Sequence, residues 1–369
     1  MPQRNLSLDH LRSTLTALIF FMHVAMTYGG SGSWFYNEIT NTHARSSVLL
    51  TLYILISNAY LLNFFFLIAG YFTPASLERK GFAPFLKDRF LRLGVPFLLF
   101  CLVLAPVTMA LVSHSEGKDF LSALHDLYLT QTFINGPMWF AEALLFFSIG
   151  YCLWSAFRKR TSVRKPAPVP SAAKWILACL AVGLAALILR QFFPIDRRVF
   201  GLWLGNFAPY LFFFCIGIKA WQSDWLDRFS WKQARASILL AAFALLALPF
   251  ALTLFYAHGG TANTVRGLSW INIFYAFWEP VVGFGLVAAL LLFFRAYVHS
   301  PSALWTWLDR RAYAVYVIHP LVLVIVCLAF RHWHAPALVK FICVGSLGCA
   351  ATWIVADPLV RIPGLRRIF

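Results

Sequence analysis

Long stretches without a single charged side chain dominate this sequence, Val95–Ser113 and Ile238–Ala257 among them. A run of about 18 or more apolar residues is long enough to cross a bilayer. Inside the bilayer its backbone N–H and C=O groups find no water, so the segment must be helical to satisfy them. Charged, Gly, Pro and Asn residues divide the chain into ten such runs, at roughly 11–28, 48–73, 93–113, 137–157, 174–193, 201–219, 236–257, 269–294, 312–330 and 338–357. They use up most of the 369 residues and leave no room for an independent soluble domain. The expectation is an all-α, polytopic membrane protein of about ten transmembrane helices, forming one integral-membrane domain over residues 1–369. Only 12% of the residues are charged, against about 25% in soluble domains, which excludes disorder, a coiled coil and an ordinary soluble enzyme.

The formal charge of +17 would suggest nucleic-acid binding in a soluble protein. Here the distribution of basic residues carries the meaning. With the N-terminus placed in the cytoplasm, 23 of the 31 Lys and Arg fall on the cytoplasmic side and 8 outside. That imbalance predicts both termini cytoplasmic and an even number of spans, with no nucleic-acid partner. Arg4 and Arg12 precede the first apolar run, and no A-x-A-like site follows it, so this segment reads as a retained signal anchor. The seven cysteines lie in apolar stretches without ligand spacing and read as buried small residues, with no metal site. A basic, proline-rich linker starting at Arg158 reads as a topology anchor touching anionic lipid. Apolar residues at helical spacing within 115–131 predict a short helix on the outer face. Trp305 and Trp307 read as part of an interfacial aromatic belt.

Ionisable residues inside spans are costly and mark sites. They are His23, Glu142, Glu279 and His319, with Arg12 and Asp357 near span ends. Arg12 and His23 are eleven residues apart, which on a helix is nearly the same face, about 16 Å along the axis. This sets a cation below an imidazole near mid-membrane. In the first large loop Arg89 and Arg92 project from one face if helical and form a fork suited to phosphate oxygens. Glu279 lies about ten residues inside its span, at a depth comparable to His23, and is expected to orient His23 or bind an acceptor. Glu142 lies about five residues in and suits acceptor binding. Tyr313, Tyr316 and His319 form a stripe that lines either a core or a substrate cavity.

Several of these segments, in order, resemble the acyltransferase-3 membrane family. Arg12 and His23, with ten residues between them, match the Arg and His of that family's first helix. Asn63–Phe72 looks like its Phe-Phe-x-x-Ser-Gly-Phe element, with Ala69 in place of Ser, and Arg89 and Arg92 before Pro96 match its R-x-x-R signature. Pro137-Met138-Trp139-Phe140 is similar to its Leu-Trp-Phe-Leu element, and Ala312–Pro320 to its late Ser-Tyr-x-x-Tyr-x-x-His helix, with Ala312 in place of Ser.

The resemblance implies transfer of an acyl group from cytoplasmic acyl-coenzyme A, a donor substrate and not a bound cofactor, to a hydroxyl of a glycan, glycolipid or other cell-envelope acceptor. It implies a bacterial inner membrane location; the residue reading adds His23 as general base, Glu279 orienting it or binding the acceptor, and Arg12, Arg89 and Arg92 on the donor's phosphates. Glu142, Trp139, Tyr316 and His319 are then expected on the substrate. Succinyl transfer to periplasmic glucans is a near alternative within the same broad family. The rival from another class is a proton-coupled secondary transporter, since buried His and Glu also serve proton relays.

Overall fold

The computed structural model describes residues 5–40, 44–157, 164–195, 197–260 and 265–368. Arg4 and the first, most basic part of the expected linker, 158–163, lie outside the described residues. The ten expected runs all become helices. They are α1 (Leu6–Thr27), α2 (Arg45–Lys80), α3 (Phe82–Ser115), α5 (Gly136–Phe157), α6 (Ala172–Phe192), α7 (Leu204–Ser223), α8 (Trp231–Ala257), α9 (Trp270–Tyr297), α10 (Ala303–Ala329) and α11 (Ala337–Arg361). Nine of them are long and apolar enough to cross a membrane, counted among the described residues. The exception is α1, whose 22 residues include His10, Arg12 and His23. The expected outer-face helix is α4 (Phe120–Leu129), capped by Asp119, whose carboxylate accepts the Ser122 N–H at 2.8 Å. All seven cysteines are free thiols, but Cys215 and Cys343 are exposed on their helices, so burial of the whole set is not found.

The chain divides into two compact units. One comprises Met1–Ser57, Asp88–Leu145 and Ser300–Phe369, the other Asn58–Lys87 and Phe146–His299. In the first, α1 packs against α10 and α11, which also pack on each other. Three polar clamps hold this bundle. Asp309 accepts from Ser13 Oγ at 2.7 Å and lies 2.9 Å from His10 Nδ1. Asp357 accepts from Arg311 and, at 2.7 Å, from Arg361. The Lys340 ammonium, buried in α11, donates to Glu38 in the loop after α1. Trp305 and Trp307 contribute to these clamps. The Trp305 ring stacks on His10 at 4.6 Å, and Trp307 lies under the Arg311 guanidinium at 4.7 Å, because a buried charge recruits the nearest π-face.

In the second unit α2 and α7 approach at backbone distance. A Cβ on Gly70 would stand 2.1 Å from the Phe214 carbonyl oxygen, and one on Gly217 2.2 Å from that of Leu67. Membrane helices use small residues in this way, because close backbone approach supplies the dispersion contact that lipid tails otherwise provide.

Prolines create the other constraint. Each removes the N–H that would bond the carbonyl four residues earlier, and in lipid that carbonyl must find another donor. Pro106 releases Leu102, whose oxygen accepts the Tyr128 hydroxyl of α4 at 2.6 Å. Pro96 releases Arg92, whose oxygen accepts the Tyr313 hydroxyl of α10. Around these prolines α3 widens into two turns with i→i+5 bonding, Phe90–Gly94 and Phe100–Leu104.

Two measurements check this packing. Gly70→Ala should lower the thermal unfolding midpoint in detergent, by a destabilisation of about 1–3 kcal/mol, and an unchanged midpoint would mean that the helices separate without cost. Tyr128→Phe should lose roughly 1 kcal/mol in the native background. In a Pro106→Ala background, where a backbone N–H again reaches Leu102, it should lose close to nothing. Equal losses in both backgrounds would refute the carbonyl-rescue account.

Candidate active site

The first unit brings His23 and His319 together. His319 Nε2 lies 3.0 Å from His23 Nδ1 with the rings nearly parallel, and both residues are buried. His319 Nδ1 lies 2.7 Å from the carbonyl oxygen of Tyr316. Pro320 makes that carbonyl available, since it has no N–H to offer four residues back. A carbonyl only accepts, so the proton sits on His319 Nδ1. In a neutral imidazole the other nitrogen, Nε2, then carries a lone pair and accepts from His23 Nδ1–H. The His23 proton is thereby held on Nδ1, and its Nε2 keeps a free lone pair. Among the described residues neither ring has a carboxylate as a hydrogen-bond partner.

His23 lies four residues before the end of α1 and not at its midpoint. Beyond it the chain turns back sharply. Gly29 adopts φ +110°, and the Gly30 N–H bonds the Ala25 carbonyl at 2.8 Å. This turn folds the Trp34 indole onto the His23 ring, 4.0 Å between centroids and 16° between planes.

The other expected site residues are placed as follows. Tyr316 donates its hydroxyl proton to the Pro137 carbonyl, and its ring meets Phe140 edge-on. Trp139 is half-buried at the start of α5. Glu142, one turn further on, accepts from the buried Asn135 amide at 3.0 Å. Arg12 lies eleven residues before His23 on α1 and donates to Asp9 at 3.2 Å.

Arg89 and Arg92 do not share one environment. The widened turn Phe90–Gly94 rotates Arg92 away from its regular α-helical position. Arg92 is exposed, with its Nε 3.3 Å from Asp88, while Arg89 is half-buried. An open cleft of ≈ 570 Å³ is lined by Asp88, Leu91, Arg92, Arg361, Pro363 and Arg366. Arg361 and Arg366, which sequence reasoning counted only toward orientation, thus join Arg92 in a three-arginine cleft. Tyr313 connects the two regions, since it sits on the stripe that ends at His319 and bonds the backbone of Arg92. Six residues of helix separate Tyr313 from His319, about 9 Å.

Glu279 belongs to the second unit. The hydrogen-bond partner of His23 is His319, and the Glu279 carboxylate is held by Arg190 at 2.6 Å, both side chains being buried. Arg190 also reaches the Gly205 carbonyl at 3.3 Å and lies over the Tyr275 ring at 5.2 Å. It sits two residues before the end of α6 and turns inward to its counter-ion. Asp309, Lys340 and Trp34 were missed, because each acquires its role from a partner hundreds of residues away or from a loop without periodicity.

The sequence family described as an acyltransferase domain, acyltransferase-3, matches residues 5–357. Glucans biosynthesis protein C of Escherichia coli strain K12 / DH10B is 26% identical over 354 residues, covering 86% of this chain and 89% of the relative. The protein of the same name from strain SMS-3-5 is 25% identical with the same coverage. No solved structure matches. With the ordered motifs, ten long helices and the paired histidines in place, the match over nearly its whole length makes this chain a multi-pass membrane protein of the acyltransferase-3 family.

Proposed function

We propose that the chain transfers an acyl group from acyl-coenzyme A to a hydroxyl of a cell-envelope glycan, with the His23 imidazole as general base. The observation that carries this reading is the bond sequence Tyr316 C=O, His319, His23, which leaves His23 Nε2 with its lone pair free. A positioned neutral imidazole of this kind takes the hydroxyl proton as the oxygen attacks the thioester carbonyl. His319 acts as the positioning residue that selects the tautomer of His23.

The cleft around Arg92, Arg361 and Arg366 suits the phosphates of the donor, since guanidinium groups bind phosphate through charge-assisted, bidentate bonds. Arg12 and Arg89 flank this role as in the sequence reading. The basic cleft then lies on the cytoplasmic side, where the excess of Lys and Arg falls. The name of the relatives, glucans biosynthesis protein C, supports a glucan as acceptor, and succinyl is the near-alternative cargo of the sequence reading. Glu142 with Asn135, and Trp139, are the residues assigned to acceptor binding. The buried Arg190–Glu279 pair is the feature that favours the rival reading, a proton-coupled transporter.

The two readings separate in one assay, purified protein in nanodiscs with labelled acyl-coenzyme A and glucan. His23→Ala should lower kcat by 10²-fold or more. His319→Gln, which still presents an acceptor to His23 Nδ1–H, should retain more activity than His319→Leu. Full transfer by His23→Ala would sink the general-base role, and absence of any transfer by the native chain would favour the transporter.

The donor site is checked separately. Arg361→Ala and Arg366→Ala should each raise KM for acyl-coenzyme A about tenfold or more, as loss of a charged hydrogen bond does, with kcat little changed. A fall in kcat at constant KM would place the donor elsewhere.

A further inference from the structure

The loop after α1 is built too firmly for a mere connection. The Glu38 N–H donates to the Thr27 carbonyl at 2.9 Å, and the Ser31 N–H to Thr51 Oγ1 at 3.0 Å. Lys340 holds the Glu38 carboxylate, and both side chains are largely buried. Phe35 packs on Phe100 at 6.4 Å, and Trp34, Tyr36 and Ile39 pack against the core formed by α1, the start of α2, α10 and α11. A buried ion pair in such a place contributes little net stability, yet it fixes where the loop sits.

What the loop positions is Trp34. Its ring lies flat on His23 and nearly parallel to His319, with 12° between those two planes. Its Nε1–H is buried and has no hydrogen-bond partner among the described residues. Leaving a buried donor unpaired costs about 1–3 kcal/mol, and tryptophan N–H groups ordinarily find an acceptor. An unpaired donor on a fixed ring stacked against the candidate base therefore points to an acceptor brought by the substrate.

We propose that Trp34 Nε1–H is the oxyanion donor of the transfer reaction. This rests on the acyl-transfer reading of His23 and adds to it the group that receives the negative charge. The acceptor hydroxyl oxygen forms a bond to the thioester carbonyl carbon while its proton passes to His23 Nε2. The carbonyl π pair moves onto the carbonyl oxygen, which accepts the hydrogen bond from Trp34 Nε1. That pair then re-forms the C=O bond and the C–S bond breaks. The sulfur leaves with the bonding electrons and takes the proton from His23, giving an ester and a thiol. The indole N–H and the imidazole lone pair each lie in the plane of their own ring. Two nearly parallel rings whose centroids lie 4.0 Å apart can thus serve two oxygens on the same tetrahedral carbon, each at an ordinary hydrogen-bond distance of roughly 2.7–3.1 Å. A preorganised donor of this kind acts chiefly on the transition state, so its loss appears in kcat.

The test compares Trp34→Phe with replacement of Trp34 by benzothienylalanine, which keeps the bicyclic shape and stacking and lacks only the N–H. Both are assayed beside the native chain with acyl-coenzyme A and glucan, and their thermal midpoints are recorded. The expected result is a loss of about 10²-fold in kcat for both, with KM within a few-fold of native and the benzothienyl protein as stable as native. Native kcat in the benzothienyl protein overturns the proposal even if Trp34→Phe is impaired, because the ring's bulk would then be what matters. A change confined to KM overturns it as well. Absence of transfer by the native chain removes the underlying reading, and this inference with it, a result distinct from native transfer that survives loss of the N–H.

Discussion

Pro320 removes one backbone N–H from the middle of α10, and the state of the candidate base follows from that loss. In water the freed Tyr316 carbonyl would be solvated. In a bilayer it must be met from within the protein, and the group that meets it is the next ring along, His319 Nδ1. Meeting it decides which nitrogen of His319 is protonated, hence which nitrogen of His23 is, hence that His23 Nε2 is left basic. A proline that looks like helix damage is thus the start of a tautomer relay. The same rule operates at Pro96, whose freed Arg92 carbonyl takes the Tyr313 hydroxyl. Because Tyr313 and His319 share α10, two proline defects tie the arginine cleft and the histidine pair to a single helix.

The remaining buried charges serve positioning. The Asp309 and Asp357 clamps sit at the Arg12 end of the bundle and fix α1 against α10 and α10 against α11. The Lys340–Glu38 pair fixes the loop that stacks Trp34 on His23. Taking two charges out of water is expensive, and a hydrophobic pair of similar volume would often be as stable. What an ion pair adds is a single allowed geometry, which a reacting site requires to within fractions of an ångström.

Much of this was legible from residue order alone. Apolar runs locate the ten long helices found among the described residues, since burial in lipid tolerates few charged side chains, and the pattern Arg12, His23, Arg89, Arg92 and His319 suffices to suggest the family. Helix ends were less legible. Many helices extend several residues past the apolar runs, as α2 does to Lys80, because a helix continues into the interface where charged side chains are tolerated. Partners across the bundle were not legible at all. Nothing in the neighbourhood of Glu279 announces Arg190, and nothing in Ser31–Trp34 announces a stacked indole. The widened turns of α3 were not legible either, since they come from a competition among backbone bonds that spacing does not display.

The aromatic stripe shows that a side chain's partners, and not its type alone, decide which of its groups are available. Tyr313, Tyr316 and His319 look like three polar groups lining a cavity, and substrate binding was the natural assignment for the last two. Each has instead committed its proton to a backbone carbonyl, those of Arg92, Pro137 and Tyr316 respectively. A donor so engaged is not available to stabilise a developing oxyanion, because moving it would leave a carbonyl unpaired in a low-dielectric interior. On the acyl-transfer reading proposed above, the stripe scaffolds the base, and the charge that develops is met by a group the scaffold leaves unpaired. Near His23 the Trp34 indole presents such a group.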